Sequence, residues 1–146
     1  AAQANIFQAQ LLSLVYEGVF VDHPGLRVVL LDAGTGWLPS FLWRANKTWR
    51  GLRAEVPWVT RSPADIVREH VRLALQPLQG PPDAAGMERL LDHIAADHML
   101  LFSTDWPHWR FEGRDAVPPQ IPARLLPALL RENALDTYPR LRETIA

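Results

Sequence analysis

Met99-Leu100-Leu101-Phe102-Ser103-Thr104-Asp105-Trp106-Pro107-His108-Trp109 decides how this chain is read. A continuous apolar run, Met99 to Phe102, delivers a carboxylate, an imidazole and two indoles to one short turn. In a parallel α/β protein, side chains just past the carboxyl end of a strand project into the ligand crevice, where an anionic oxygen can hold a divalent metal. The alternative is that Asp105 caps a turn and the tryptophans only pack, since aspartate is a preferred turn and cap residue.

Working outward, two more segments have the same form. Residues 26–31 are branched and apolar apart from Arg27, as expected of a strand covered on both faces, and Asp32-Ala33-Gly34-Thr35-Gly36 ends them. Residues 71–75, Val71-Arg72-Leu73-Ala74-Leu75, end at Gln76-Pro77. The strands are thus expected at 26–31, 71–75 and 99–103. Between them the period changes. Leu38, Phe41, Leu42, Ala45, Trp49 and Leu52 follow at steps of three, four and seven, so a helix presents one face to a core. Residues 64–69 read as a short helix, and Met87, Leu90, Leu91 and Ile94 as the face of another. Ile6, Leu11, Leu14, Val15 and Val19 give a first helix before the His23-Pro24-Gly25 turn, and residues 125–138 a last one that Pro127 starts or kinks. Strands separated by helices imply right-handed crossovers and a parallel sheet. Three strands do not close a barrel, and open edges and half-covered apolar faces favour association.

The three strand ends are polar: Asp32, Gln76 and Asp105. They are expected on one edge of the sheet, as sites on the carboxyl face of (β/α) barrels are assembled from several strands. His108 can transfer a proton or bind substrate, because neutral imidazole offers both a donor and an acceptor. His23, His70, His93 and His98 show no His-x-His or His-Glu-x-x-His spacing and are read as ordinary histidines. Of six tryptophans, Trp49 falls at core spacing, while Trp37, Trp106 and Trp109 flank the strand ends and could wall a pocket. Gly34 and Gly36 permit a tight turn but form no dinucleotide loop, because position 39 is proline.

Composition narrows the function. A formal net charge of −1 over 146 residues has no basic excess to neutralise a phosphate backbone, so nucleic acid is not expected as a partner. No cysteine is present, so a metal would be held by Asp, Glu or His. No apolar stretch approaches the roughly 20 residues that span a bilayer, and the start lacks a signal peptide; a soluble, cytoplasmic protein without a membrane partner is expected. The chain begins at Ala1 without an initiator methionine, as a mature product, an excised domain or an incomplete reading frame would.

Taken in order, the motifs resemble the decarboxylase-like branch of the metal-dependent amidohydrolase superfamily, the amidohydrolase-related (amidohydrolase 2) family. They run from Ser13-Leu14-Val15-Tyr16-Glu17-Gly18-Val19-Phe20 and His23-Pro24 through the first strand, Gly34, Trp37-Leu38-Pro39, Trp43-Arg44, Arg68-Glu69-His70 and Gln76-Pro77. They end with residues 102–109 and Glu132-Asn133-Ala134. The resemblance implies that residues 1–146 form the carboxyl-terminal part of a distorted (β/α)8 barrel: a partial TIM-like α/β fold whose three parallel strands, equivalent to strands six to eight, carry flanking helices. It implies Asp105 as a metal ligand, Asp32 at a position that acts on substrate or water, and Arg44 at a substrate, sometimes that of a neighbouring subunit. With His108 as a second catalytic residue and Trp37, Gln76 and Trp106 beside the substrate, the expected function is metal-dependent hydrolysis of a small organic substrate by activated water.

Zinc is the expected metal, bound weakly by this chain alone because the amino-terminal ligands of the family are absent from it. The complete protein is expected to be a homo-oligomer. The alternatives are non-oxidative decarboxylation, which an anionic Asp32 disfavours for a negative substrate, and a non-catalytic half-barrel that pairs with another chain.

Overall fold

The computed structural model describes residues 2–109, 111 and 113–145. Its first helices are α1 (Ala2–Tyr16) and the short α2 (Val19–Asp22). Gly18 separates them with φ of 80°, a left-handed turn that glycine adopts without strain. A Cβ there would also lie 2.8 Å from Trp58 Cδ1, in the indole whose Nε1 donates to the Tyr16 carbonyl at 2.7 Å.

Strand β1 (Val28–Leu30) is followed by α3 (Leu38–Leu52), which buries Leu38, Phe41, Leu42 and Ala45 as its apolar spacing requires. Helix α4 (Pro63–His70) starts at Ser62, whose hydroxyl accepts from the Asp65 N–H, with proline at the first helical position. Strand β2 (Val71–Ala74) comes next, then α5 (Ala84–His93), capped by Asp83 through the Gly86 N–H. The short α6 (Ala96–Met99) leads into β3 (Leu100–Leu101).

The three strands form one parallel sheet in the order β1-β2-β3, with Val28 opposite Val71 and Leu73 opposite Leu100. Leu30, Leu73, Leu75 and Leu100 join Leu38, Leu42, Val67, Leu91, Ile94 and Met99 in the buried core. The fold is the expected partial barrel: three parallel strands with helices outside.

Several expectations are corrected in detail. The strands are shorter than 26–31, 71–75 and 99–103: the Leu26 N–H closes a turn on the His23 carbonyl at 2.9 Å, and Met99 still belongs to α6. Residues 26–31 are not covered on both faces: Leu31 is 66% exposed. Leu31 lines the open cleft described below instead of packing into the core. The last helix is not continuous from 125 to 138. A 3-10 turn (Ala123–Leu125), a π-helical turn (Ala128–Glu132) and α7 (Asn133–Thr137) succeed one another around Pro127, which has no N–H to continue an α ladder. Helix α8 (Arg140–Ile145) follows.

Candidate active site

Parallel register places the carboxyl ends of all three strands on one edge, and the side chains that follow them line a single open cleft of about 630 Å³. Asp32, Gln76, Asp105, Trp106 and His108 all face it, together with Leu31, Ala74, Ser103, Thr104 and Pro107. Asp32 enters through a left-handed residue, φ 57°, directly after the first strand. Gln76 and Asp105 also line a second cavity of about 480 Å³ on the side of Pro81, Pro118 and Asp115.

Side chains that sequence reasoning passed over hold this edge together. Ser103 Oγ accepts from the Gln76 N–H at 3.0 Å, continuing the β2–β3 ladder with a hydroxyl where the strands part. Thr35 is fully buried; its hydroxyl donates to the Gln79 carbonyl at 2.6 Å and accepts from the Gln79 N–H at 3.0 Å. The loops after β1 and β2 are thereby tied to each other. The only sequence signal was a hydroxyl residue at each strand end, which is common in loops of any function.

Three other expected residues lie elsewhere. Trp37 is half-buried, packs edge-on to Phe41 and donates its indole N–H to the Ala33 carbonyl at 2.8 Å; it supports the turn and does not wall the cleft. Trp109 is 84% exposed beside His108, outside the lining. Arg44 is exposed on α3, next to Trp43, and also lies outside the cleft.

The amino end of the sheet is built differently. Arg72, in the middle strand, is fully buried. Its guanidinium donates to the carbonyls of Glu69 and Val71, both at 3.0 Å, and of Arg68 at 3.3 Å, and to Asp136 at 2.9 Å. Burial pushes this guanidinium down from its usual value, while the hydrogen bond and charge of Asp136 pull it back up. Nearby His98 is held below the ordinary histidine range, first by burial and then by the Arg72 charge. The Arg61 hydrogen bond, at 2.6 Å, holds Glu69 below the usual carboxylate range. His70 is buried against Phe20, with Nδ1 2.9 Å from the Leu26 carbonyl, a packing role as expected for an ordinary histidine.

A resident metal does not fit this chain's residues alone. Among the described residues no three His, Asp or Glu side chains gather where they could share an ion. Zinc sites normally need three or four protein ligands, and the cleft offers Asp105 and Asp32 at most as carboxylate donors.

A family model described as Amidohydrolase matches residues 1–140. The chain belongs to the amidohydrolase family. It is 31% identical over 96 residues to gamma-resorcylate decarboxylase of Rhodococcus jostii (strain RHA1), an alignment that spans 66% of this chain and 28% of the decarboxylase. A crystal structure of an amidohydrolase from Mycobacterium avium subsp. paratuberculosis K-10 superposes with a TM-score of 0.71 at 22% identity, covering 92% of this chain and 33% of that one. A dihydroxybenzoic acid decarboxylase from Polaromonas sp. JS666, solved with manganese and the inhibitor 2-nitroresorcinol, superposes with a TM-score of 0.68 at 23% identity, covering 93% and 40%. The chain therefore spans well under half the length of these relatives. Decarboxylases among the family relatives weigh against the expectation of hydrolysis over decarboxylation. Among the described residues no helix is long and apolar enough to cross a membrane.

Proposed function

We propose that residues 1–146 are the carboxyl-terminal part of a barrel enzyme that removes carbon dioxide non-oxidatively from a small hydroxylated aromatic acid. The observation that carries this reading is the convergence of Asp32, Gln76, Asp105 and His108 from three strand ends on one cleft. The likeness to gamma-resorcylate decarboxylase favours carbon–carbon cleavage over hydrolysis.

Asp105 would be one ligand of a divalent metal, zinc or manganese, in the complete barrel, and such an ion would supply polarisation of the substrate oxygens. Asp32 hands a proton to the ring carbon that bears the carboxylate. Cleavage of the carbon–carbon bond then returns the electron pair to the ring, carbon dioxide departs, and solvent reprotonates Asp32. A carboxyl that donates a proton must be desolvated to stay protonated. Asp32 is exposed here, so this role requires the rest of the barrel to cover the cleft. His108 and Gln76 hydrogen-bond the oxygens of the substrate, and Trp106, 72% exposed at the rim, stacks against its ring. Arg44, on the outward face of α3, reaches a substrate only in a neighbouring copy.

The test uses the complete protein, loaded with zinc or manganese and given gamma-resorcylate. Release of carbon dioxide and the corresponding phenol, lost in Asp32→Asn with metal content retained and lost in Asp105→Asn together with the metal, is the expected result. Turnover of an amide or ester with no decarboxylation would return the reading to hydrolysis.

A further inference from the structure

Among the described residues β3 has one strand neighbour, β2, and its other edge meets the C-terminal segment. In a parallel ladder, successive residues turn their N–H and C=O groups alternately to the two sides. The Leu101 carbonyl accepts from the Leu75 N–H at 2.8 Å, so residue 101 faces β2. Leu100 and Phe102 face away, and both are satisfied by the C-terminal segment. The Phe102 N–H donates to the Leu129 carbonyl at 3.1 Å. Asn133 Nδ2 donates to the Leu100 carbonyl at 2.8 Å and, at 3.5 Å, to that of Ala96. Asn133 is 5% exposed, and the Thr137 hydroxyl, donating to its carbonyl at 2.6 Å, fixes its turn of helix.

We propose that Asn133 is a positioning residue for the strand that carries Asp105. Strand β3 is only two residues long, so the ladder to β2 fixes little of it. Asn133 holds Leu100 from the outer side and Ser103 bonds the Gln76 N–H on the inner side; between these clamps the chain is aimed toward Asp105. Leu100 is 2% exposed, so without the Asn133 amide its carbonyl is left buried and unpaired. The Glu132-Asn133-Ala134 motif thus gains a physical role: its asparagine pairs the outward-facing Leu100 carbonyl. The importance of Asp105 rests on the function proposed above; the hydrogen bond from Asn133 to Leu100 does not.

The test is made on the complete protein, 15N- and 13C-labelled, by amide exchange and chemical shifts at one pH, with no metal or substrate. In the wild type, the Phe102 amide exchanges as slowly as that of Leu75. In Asn133→Ala, and in Asn133→Leu, which fills the space but has no donor, Phe102 exchange quickens at least about tenfold relative to Leu75. The Asp105 amide and carboxyl resonances shift while those of Asp32 stay in place. An Asn133→Leu variant indistinguishable from wild type, or equal loss of protection at Phe102 and Leu75, would reduce Asn133 to a space-filling residue and overturn the proposal. If neither variant folds, the wild type decides: a Phe102 amide exchanging at the rate of an unprotected one overturns it as well. Because turnover plays no part, Asp105 can fail as a metal ligand while this result stands.

Discussion

Arg72 and Asp105 lie near opposite ends of the same small sheet, and the chain treats their charges in opposite ways. Arg72 is fully buried and answered by three carbonyls and the Asp136 carboxylate. Asp105 is half-buried and lines an open cleft. The first arrangement ties α4, β2 and α7 together; the second leaves a carboxylate at an open cleft. This is the division of labour of the barrel architecture, in which one end of the strands supplies stability and the other supplies chemistry.

The largest effect that could break the contrast is at Arg72. Arg72→Ala removes four hydrogen bonds and opens a cavity at the centre of the sheet, and should destabilise the chain by roughly 3 kcal/mol. Urea unfolding measures it, and a midpoint equal to wild type would mean that the amino end does not carry the stability. Arg72→Met should recover part of the loss, because it fills space without burying a charge. Asp136→Asn keeps the acceptor but not its charge; since Asp136 is about half exposed, the expected cost is a smaller ~1 kcal/mol.

At the other end the prediction is near silence. Asp32→Asn and Asp105→Asn should each move the unfolding free energy by less than about 0.5 kcal/mol, because neither side chain is buried. A loss of several times that amount in either would make it a structural residue and erase the difference between the two ends.

The smallest effect sharpens the contrast through pH. His98 is depressed by burial and by the Arg72 charge, so as pH falls the unfolded chain takes up its proton before the folded one does. Its contribution is therefore intact above the ordinary histidine value of about 6.5 and is lost as pH falls through the folded value. The thermal midpoint should decline between pH 7 and 5 in the wild type and decline less in His98→Gln. Glu69, depressed by Arg61, contributes in the same sense at lower pH, present above the ordinary carboxylate range and lost below it. An unchanged slope in His98→Gln would detach His98 from the influence of Arg72.

What the sequence disclosed follows from the range of the interactions involved. Helix α3 was legible to its ends because apolar spacing and a following turn are local signals. The convergence of Asp32, Gln76 and Asp105 was legible because parallel strands bring equivalent ends together. Arg72 was read only as part of an apolar run, since its burial depends on Asp136, 64 residues away. Trp37 was expected in the pocket because it follows a strand end, but its indole N–H finds a carbonyl four residues back and turns the ring into the packing. The break in the last helix was legible as Pro127, but not its purpose, which lies in the contact of Leu129 and Asn133 with a strand about thirty residues earlier.

The φ of 57° at Asp32 acts as a filter on what can ever stand there. A left-handed backbone admits glycine freely and, among residues with side chains, chiefly asparagine, aspartate and histidine, while branched and bulky side chains are strained. Those three carry an amide, an acid and an imidazole on a short stem. Drift at this position is therefore steered between kinds of polar chemistry: a substitution that the turn tolerates exchanges one hydrogen-bonding or proton-carrying group for another at this corner of the cleft.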